Sequence, residues 1–344
     1  MHVGLIGSAR FGTDEPFAGG LESLVSTLAT HLRRRGHTVQ ILPDAGRAFT
    51  ATANARRDVS AVSDVALAEH HAYLASLIRV GGMEIDLLHN HSVHYLPVAL
   101  APALRPPMVT TLHSPPTPWL ESAFTAAQRR TGPVVSVSTA NATQWSEALG
   151  PCTVIPNGID VGRFRPGPGG GGHAAWFGRI VPEKGLTSAI ASARAAGMPL
   201  RIAGPLHQRE YFDRYVRPEL GADITYEGHL DADGLQAMVG TADATLVTPH
   251  WDEPYGLVVA ESLAMGTPVA GFARGGIPEV VSADTARLVP AGDVDALTVA
   301  LSEATQLDRR ACRRHAEEHC NVERMVDQYE ELYWRCLEDP LWLR

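Results

Sequence analysis

The chain has 344 residues, 45% of them hydrophobic and 19% charged, with a formal net charge of −9. That composition is globular, and the length suggests two domains rather than one ordinary core. Residues 1–152 balance 11 Arg against 11 acidic residues, so the whole −9 falls on 153–344, and neither half has the basic excess of a nucleic-acid or anionic-membrane binder.

The first residues, MHVGLIGSARFG, lack the basic and long apolar stretches of a secretory leader. No apolar run approaches the roughly 20 residues of a membrane span. Cys152, Cys312, Cys320 and Cys336 are scattered without CxxC spacing, which reads as free thiols in a reducing cytoplasm.

In chain order, HVGLIG (2–7), TVQIL (38–42), IDLLH (85–89), MVTTLH (108–113) and VVSVS (134–138) are strand candidates. LESLVSTLATHLRRRG and DVALAEHHAYLASLIRVGG, between them, repeat apolar residues three and four apart, as amphipathic helices do. Segment 153–173 is dense in Pro and Gly and reads as a linker. Alternation then restarts with AAWFG (174–178), PLRIAG (199–204), ITYEG (224–228), ATLVTP (244–249), PVAGF (268–272) and ARLVP (286–290). Near-continuous apolar strands alternating with helices predict α/β lobes with parallel sheets, covering 1–152 and 174–320 and facing across a cleft. The helical tail from 321 to 344 carries Tyr329, Tyr333 and Trp334 and is expected to pack back on the first lobe.

Gly4, Gly7 and Gly12 do not have GxGxxG spacing, although Asp44 supplies an acid after the second strand. That argues against a dinucleotide-dependent dehydrogenase. Gly19 and Gly20 precede a helix, where small residues let backbone N–H groups approach an anion; a plain flexible loop reads equally well from this segment. GRIVPEKG, 178–185, follows a strand and opens a helix, bringing Gly178, Arg179 and Lys184 to a sheet edge. Lys184 is the only lysine in the chain, and a compact ammonium beside a guanidinium suits a diphosphate leaving group.

WDEPYGLVVAES, 251–262, sets Glu253 in a loop and Glu261 in the second turn of the following helix. The helix amides at Gly256, Leu257 and Val258 then lie between the two acids. An anion in the middle with hydroxyl-bearing sugars on either side fits that order; a pair of carboxylates facing one glycosidic bond does not. Asp231–Asp233 and Asp293–Asp295 match a DxD metal pattern but sit just before helices and read as caps. His89, His91 and His94 have ligand-like spacing but no further ligands to complete a zinc site, so a polar cleft wall is expected and no metal.

With PNGID (156–160) and GGIPE (275–279), these motifs resemble the family 4 retaining glycosyltransferases of the GT-B architecture, over nearly the whole chain. The resemblance implies that Arg179 and Lys184 bind the donor's phosphates, Glu261 the nucleotide ribose and Glu253 the sugar hydroxyls. It implies that Gly19 and Gly20 close over the diphosphate, that His113 lies near the reacting sugar, and that main chain near Gly228, His229 and Leu230 grips the base. Such enzymes are thought to need no separate nucleophile, which agrees with the absence of a convincing one here. His91 and Trp119, near a Pro-rich loop, are candidates for the acceptor side, although a core tryptophan reads equally well. The expected activity is transfer of a glucose-type hexose from a nucleotide sugar, UDP-linked, to a hydroxyl of a small soluble acceptor, without cofactor, metal, nucleic acid or stable membrane contact. An epimerase or phosphorylase on the same fold, or a non-catalytic binder of nucleotide sugars, would share the donor lobe.

Overall fold

The computed structural model describes residues 1–43, 63–128 and 130–338; Asp44 and the last six residues of the tail lie outside them. The first lobe is a six-stranded sheet of β1 (His2–Ile6), β2 (Thr38–Leu42), β3 (Leu87–Asn90), β4 (Met108–Leu112), β5 (Val134–Ser136) and β6 (Thr153–Val154), in order 2-1-3-4-5-6. The second holds β7 (Ala174–Phe177), β8 (Leu200–Ala203), β9 (Ile224–Tyr226), β10 (Ala244–Val247), β11 (Val269–Phe272) and β12 (Ala286–Val289), in order 12-11-10-7-8-9. Every recorded strand pair in both sheets is parallel. The second order is that of dinucleotide-binding sheets.

Such sheets need cover on both faces, and the inner strands β3, β4, β7, β10 and β11 are buried at every residue. Each sheet reverses its winding beside its first strand. This places crevices at the carboxyl ends of β1 and β7, which open toward each other.

Segment 153–173 is more than a linker. β6 extends the first sheet, Ile155 joins the first lobe's core, and Ile159 and Val161 join the second's. Asn157 and Gly158 are buried along with these apolar residues, whereas none of residues 162–172 is. The chain crosses between lobes again near residue 320, and the crossings pair: Ile159 N–H donates to Cys320 O at 2.8 Å, and Val322 N–H donates to Ile159 O at 2.9 Å.

Helix Val322–Glu338 then packs on the first lobe. Val322, Met325, Val326, Tyr329, Leu332, Tyr333 and Cys336 share one core with Val3, Leu5 and Leu28. Met325 also accepts the Gly158 N–H at 3.1 Å, tying the helix to the crossing. Truncation there should leave a cavity in a core that cannot collapse around it. Met325→Ala is expected to cost about 2–5 kcal/mol, measured by denaturant unfolding; an unchanged midpoint would show that this helix is not integral to the first lobe.

Candidate active site

A cavity of about 600 Å³ lies between the lobes, lined by residues from both. Its second-lobe wall starts with Arg179, directly after β7, and the turn Pro182–Lys184. Gly185 ends that turn in the left-handed region, with φ 66°, and a Cβ there would lie 1.8 Å from Thr248 O. Only glycine fits, and the tight turn returns Lys184 to the cleft.

Lys184 Nζ donates to Glu253 Oε2 at 2.5 Å, and Trp251 Nε1–H donates to the same oxygen at 2.9 Å. The ammonium also lies 5.4 Å from the centre of the Trp251 ring. The loop carrying Glu253 is fixed from two sides. Gly276 N–H donates to Glu253 O at 2.7 Å, and Ser138 of the first lobe donates its hydroxyl to Pro254 O at 2.6 Å. Beside that contact, Glu279 accepts the Thr139 and Ala140 amides at 2.8 and 2.7 Å, so the carboxylate of GGIPE caps a first-lobe helix, Thr139–Leu149.

Gly256, φ 99°, caps helix Leu257–Ala264, and Val259 N–H to Gly256 O is the first bond of that turn. The amides of Gly256, Leu257 and Val258 stand ahead of it, in the cavity wall. Glu261 follows one turn later. Burial pushes its carboxyl up to about 7, against the pull of Arg163. One wall therefore presents a guanidinium, an ammonium and a helix amide end, with Glu253 on one side and the buried carboxyl of Glu261 on the other.

The first lobe closes over this wall. A Cβ on Gly20 would lie 2.8 Å from Leu257 Cδ1, and one on Gly19 would lie 3.5 Å from Arg179 Cδ. His229 Nε2 donates to Phe17 O at 3.0 Å, and Leu230 lines the cavity beside it. His113 lines the opposite side. Arg163 pairs with Glu15 and lies 5.6 Å from the Phe17 ring. Sequence reasoning missed Arg163, hidden in an apparent linker, and Glu22. Burial raises the Glu22 carboxyl despite its own backbone bond, Ser8 and Arg179.

Two expected acceptor residues are elsewhere. His91 is fully buried behind His113, and Trp119 is 72% exposed, stacked on Tyr95 at 5.8 Å rather than lining the cavity. Asp231 and Asp293 cap helices, accepting from Gly234 and Ala296 N–H at 2.9 Å each. His94 Nδ1 accepts from Leu96 N–H at 3.2 Å. Among the described residues, no group of three or more His, Cys, Asp or Glu is placed to hold a metal ion.

The sequence model of Glycosyltransferase Family 4 matches residues 18–163, and that of Glycosyl transferases group 1 matches 173–319. A glycogen synthase of Mycobacterium tuberculosis is 28% identical, covering 87% of this chain and 85% of its own. A phosphatidyl-myo-inositol mannosyltransferase of Mycolicibacterium smegmatis is 27% identical, over 88% and 84%. Among solved structures, HepE of Anabaena in complex with UDP-glucose superposes with a TM-score of 0.72 at 19% identity, covering 97% of this chain and all of that one.

Proposed function

The chain belongs to glycosyltransferase family 4, and from that premise we propose that it transfers a glucose-type hexose from a UDP-linked donor, with retention, to a hydroxyl of a small soluble acceptor. The observation that carries this reading is the convergence of Arg179, Lys184 and the amides heading Leu257–Ala264 on one gap between Glu253 and Glu261. A diphosphate fills the electropositive centre, its ribose donates hydroxyls to Glu261, and its sugar lies toward Glu253 and His113. The bond from the anomeric carbon to the diphosphate oxygen breaks as the acceptor oxygen bonds on the same face, and the departing phosphate oxygen takes the acceptor's proton. The protein supplies position and charge: negative charge grows on the leaving oxygens, where preorganised cations and amides are worth most.

HepE's complex with UDP-glucose supports the choice of donor. The acceptor rests on the neutral charge balance of residues 1–152, which offers no basic face to anionic lipid. No helix among the described residues is long and apolar enough to cross a membrane. Cys152, Cys312, Cys320 and Cys336 are free thiols, which fits a reducing cytoplasm.

Two measurements test the reading. Lys184→Ala should lower turnover about 10²–10³-fold with the fold intact, while a chelator leaves the parent rate unchanged; full turnover in the variant would refute the role, and a chelator-sensitive rate would refute metal independence. The second concerns pH. Ribose hydroxyls donate more strongly to an ionised Glu261 than to its neutral carboxyl, and burial pushes that carboxyl up to about 7. UDP-glucose, whose diphosphate has no ionisation in this range, should therefore bind more tightly as pH rises from about 6 to about 8, with that slope lost in Glu261→Gln. Calorimetry showing the same slope in both proteins would remove Glu261 from the ribose.

A further inference from the structure

Behind His113 runs a buried chain of hydrogen bonds that the transfer reaction, as described, does not use. His113 Nε2 lies 2.9 Å from His91 Nδ1, and His91 Nε2 lies 3.1 Å from His89 Nδ1. His89 Nδ1 is also 2.5 Å from Tyr333 Oη, and its Nε2 is 2.8 Å from Thr111 Oγ1, which lies 2.9 Å from Tyr329 Oη. The pattern has a simple origin. Residues 89 and 91, at the end of β3, share a sheet face, as do 111 and 113 at the end of β4. Tyr329 and Tyr333, one turn apart on the C-terminal helix, meet that face. His89, His91 and Tyr333 are fully buried.

No carboxylate or cation takes part, and burial holds all three imidazoles neutral, with His113 down to about 3. A neutral imidazole has one N–H and one lone pair, so the chain can be polarised in few ways. If His113 Nε2–H donates inward, His91 Nε2–H takes the single lone pair of His89 Nδ1. Tyr333 Oη, at 2.5 Å, then faces a nitrogen with nothing left to offer. If Tyr333 takes that lone pair instead and His91 carries its proton on Nδ1, His91 Nε2 and His89 Nδ1 meet acceptor to acceptor at 3.1 Å. The opposite direction leaves no acceptor facing an acceptor and no two donors on one ring lone pair, at the cost of one three-centre bond from His89 Nδ1–H. Tyr329 donates to Thr111, Thr111 to His89 Nε2, His89 Nδ1–H to both Tyr333 Oη and His91 Nε2, and His91 Nδ1–H to His113 Nε2.

We infer that Tyr333, His89 and His91 are positioning residues that fix the tautomer of His113, leaving its proton on Nδ1. That nitrogen has no partner recorded among the described residues, and His113 lines the cleft. Resting on the transferase reading, His113 thus offers the bound sugar a hydrogen-bond donor and no lone pair, so it holds a sugar oxygen and takes no proton from the acceptor.

The test is nitrogen NMR of the full chain with 15N-labelled histidine, His113 being assigned by its loss in His113→Gln. The free protein should show a protonated Nδ1 and an unprotonated Nε2 at His113. In Tyr333→Phe, which keeps the packed ring and removes only the oxygen, the two nitrogens should move toward averaged positions. A wild-type His113 protonated on Nε2, or a Tyr333→Phe spectrum identical to wild type, would overturn the inference. Because the spectrum is read without substrate, failure of the protein to turn over any sugar nucleotide would count against the proposed function and leave the tautomer standing.

Discussion

An ammonium and a carboxylate 2.5 Å apart, set beside the open end of a helix, govern the rest of this site. Lys184 and Glu253 are only 22% and 15% exposed, so either alone would be a poorly solvated charge. Together they hold each other in the cleft before any ligand arrives, with Trp251 donating to the same carboxylate oxygen. Both bonds fall on Oε2 of Glu253, and the proposed reading gives the other carboxylate oxygen to a sugar hydroxyl. Lys184, carried on a flexible stem, can turn from the carboxylate to a phosphate with little rearrangement. The resting pair is in this sense preorganisation: the charges that a diphosphate needs are already placed, and the protein need not gather them during reaction.

That arrangement depends on the first lobe as much as on the second. Ser138 grips Pro254 O and Glu279 takes the amides of the Thr139 helix, so the acid-bearing loop is clamped from across the cleft. Gly20 against Leu257 and Phe17 O against His229 bring the lobes together again at the opposite rim. Between these contacts the chain crosses twice, and the crossings are bonded to each other. Bonded to each other, the two crossings hold the lobes in register across the cleft.

Much of this was legible in the sequence because parallel, doubly covered strands announce themselves as apolar runs. Every strand of three or more residues fell within such a run except β3, which ends one residue beyond its run at Asn90, and the Gly256 helix start placed Glu253 and Glu261 on either side of an amide end. What escaped was what crosses between elements. β6 is two residues long and gives no periodic signal. Arg163 looked like part of a linker because Pro and Gly dominate its neighbourhood, yet Ile155, Asn157, Gly158, Ile159 and Val161 just before it are buried. Trp119 reads as a stacking residue from its type alone, whereas Tyr95, its partner, is set by how two helices meet. His91 looked like a cleft residue since nothing in its own segment reveals a tyrosine on the last helix, and a contact so distant in sequence leaves no local pattern. The same distance hid the link from His89 to Tyr333, 244 residues away.

The most direct measurement is a crystal structure of the protein with UDP-glucose. The account predicts phosphate oxygens within hydrogen-bonding distance of Arg179, Lys184 and the amides of Leu257 and Val258, with the ribose on Glu261 and the hexose toward Glu253 and His113. A diphosphate bound away from the Leu257 helix, or a nucleotide reversed so that the sugar lies against Glu261, would contradict it.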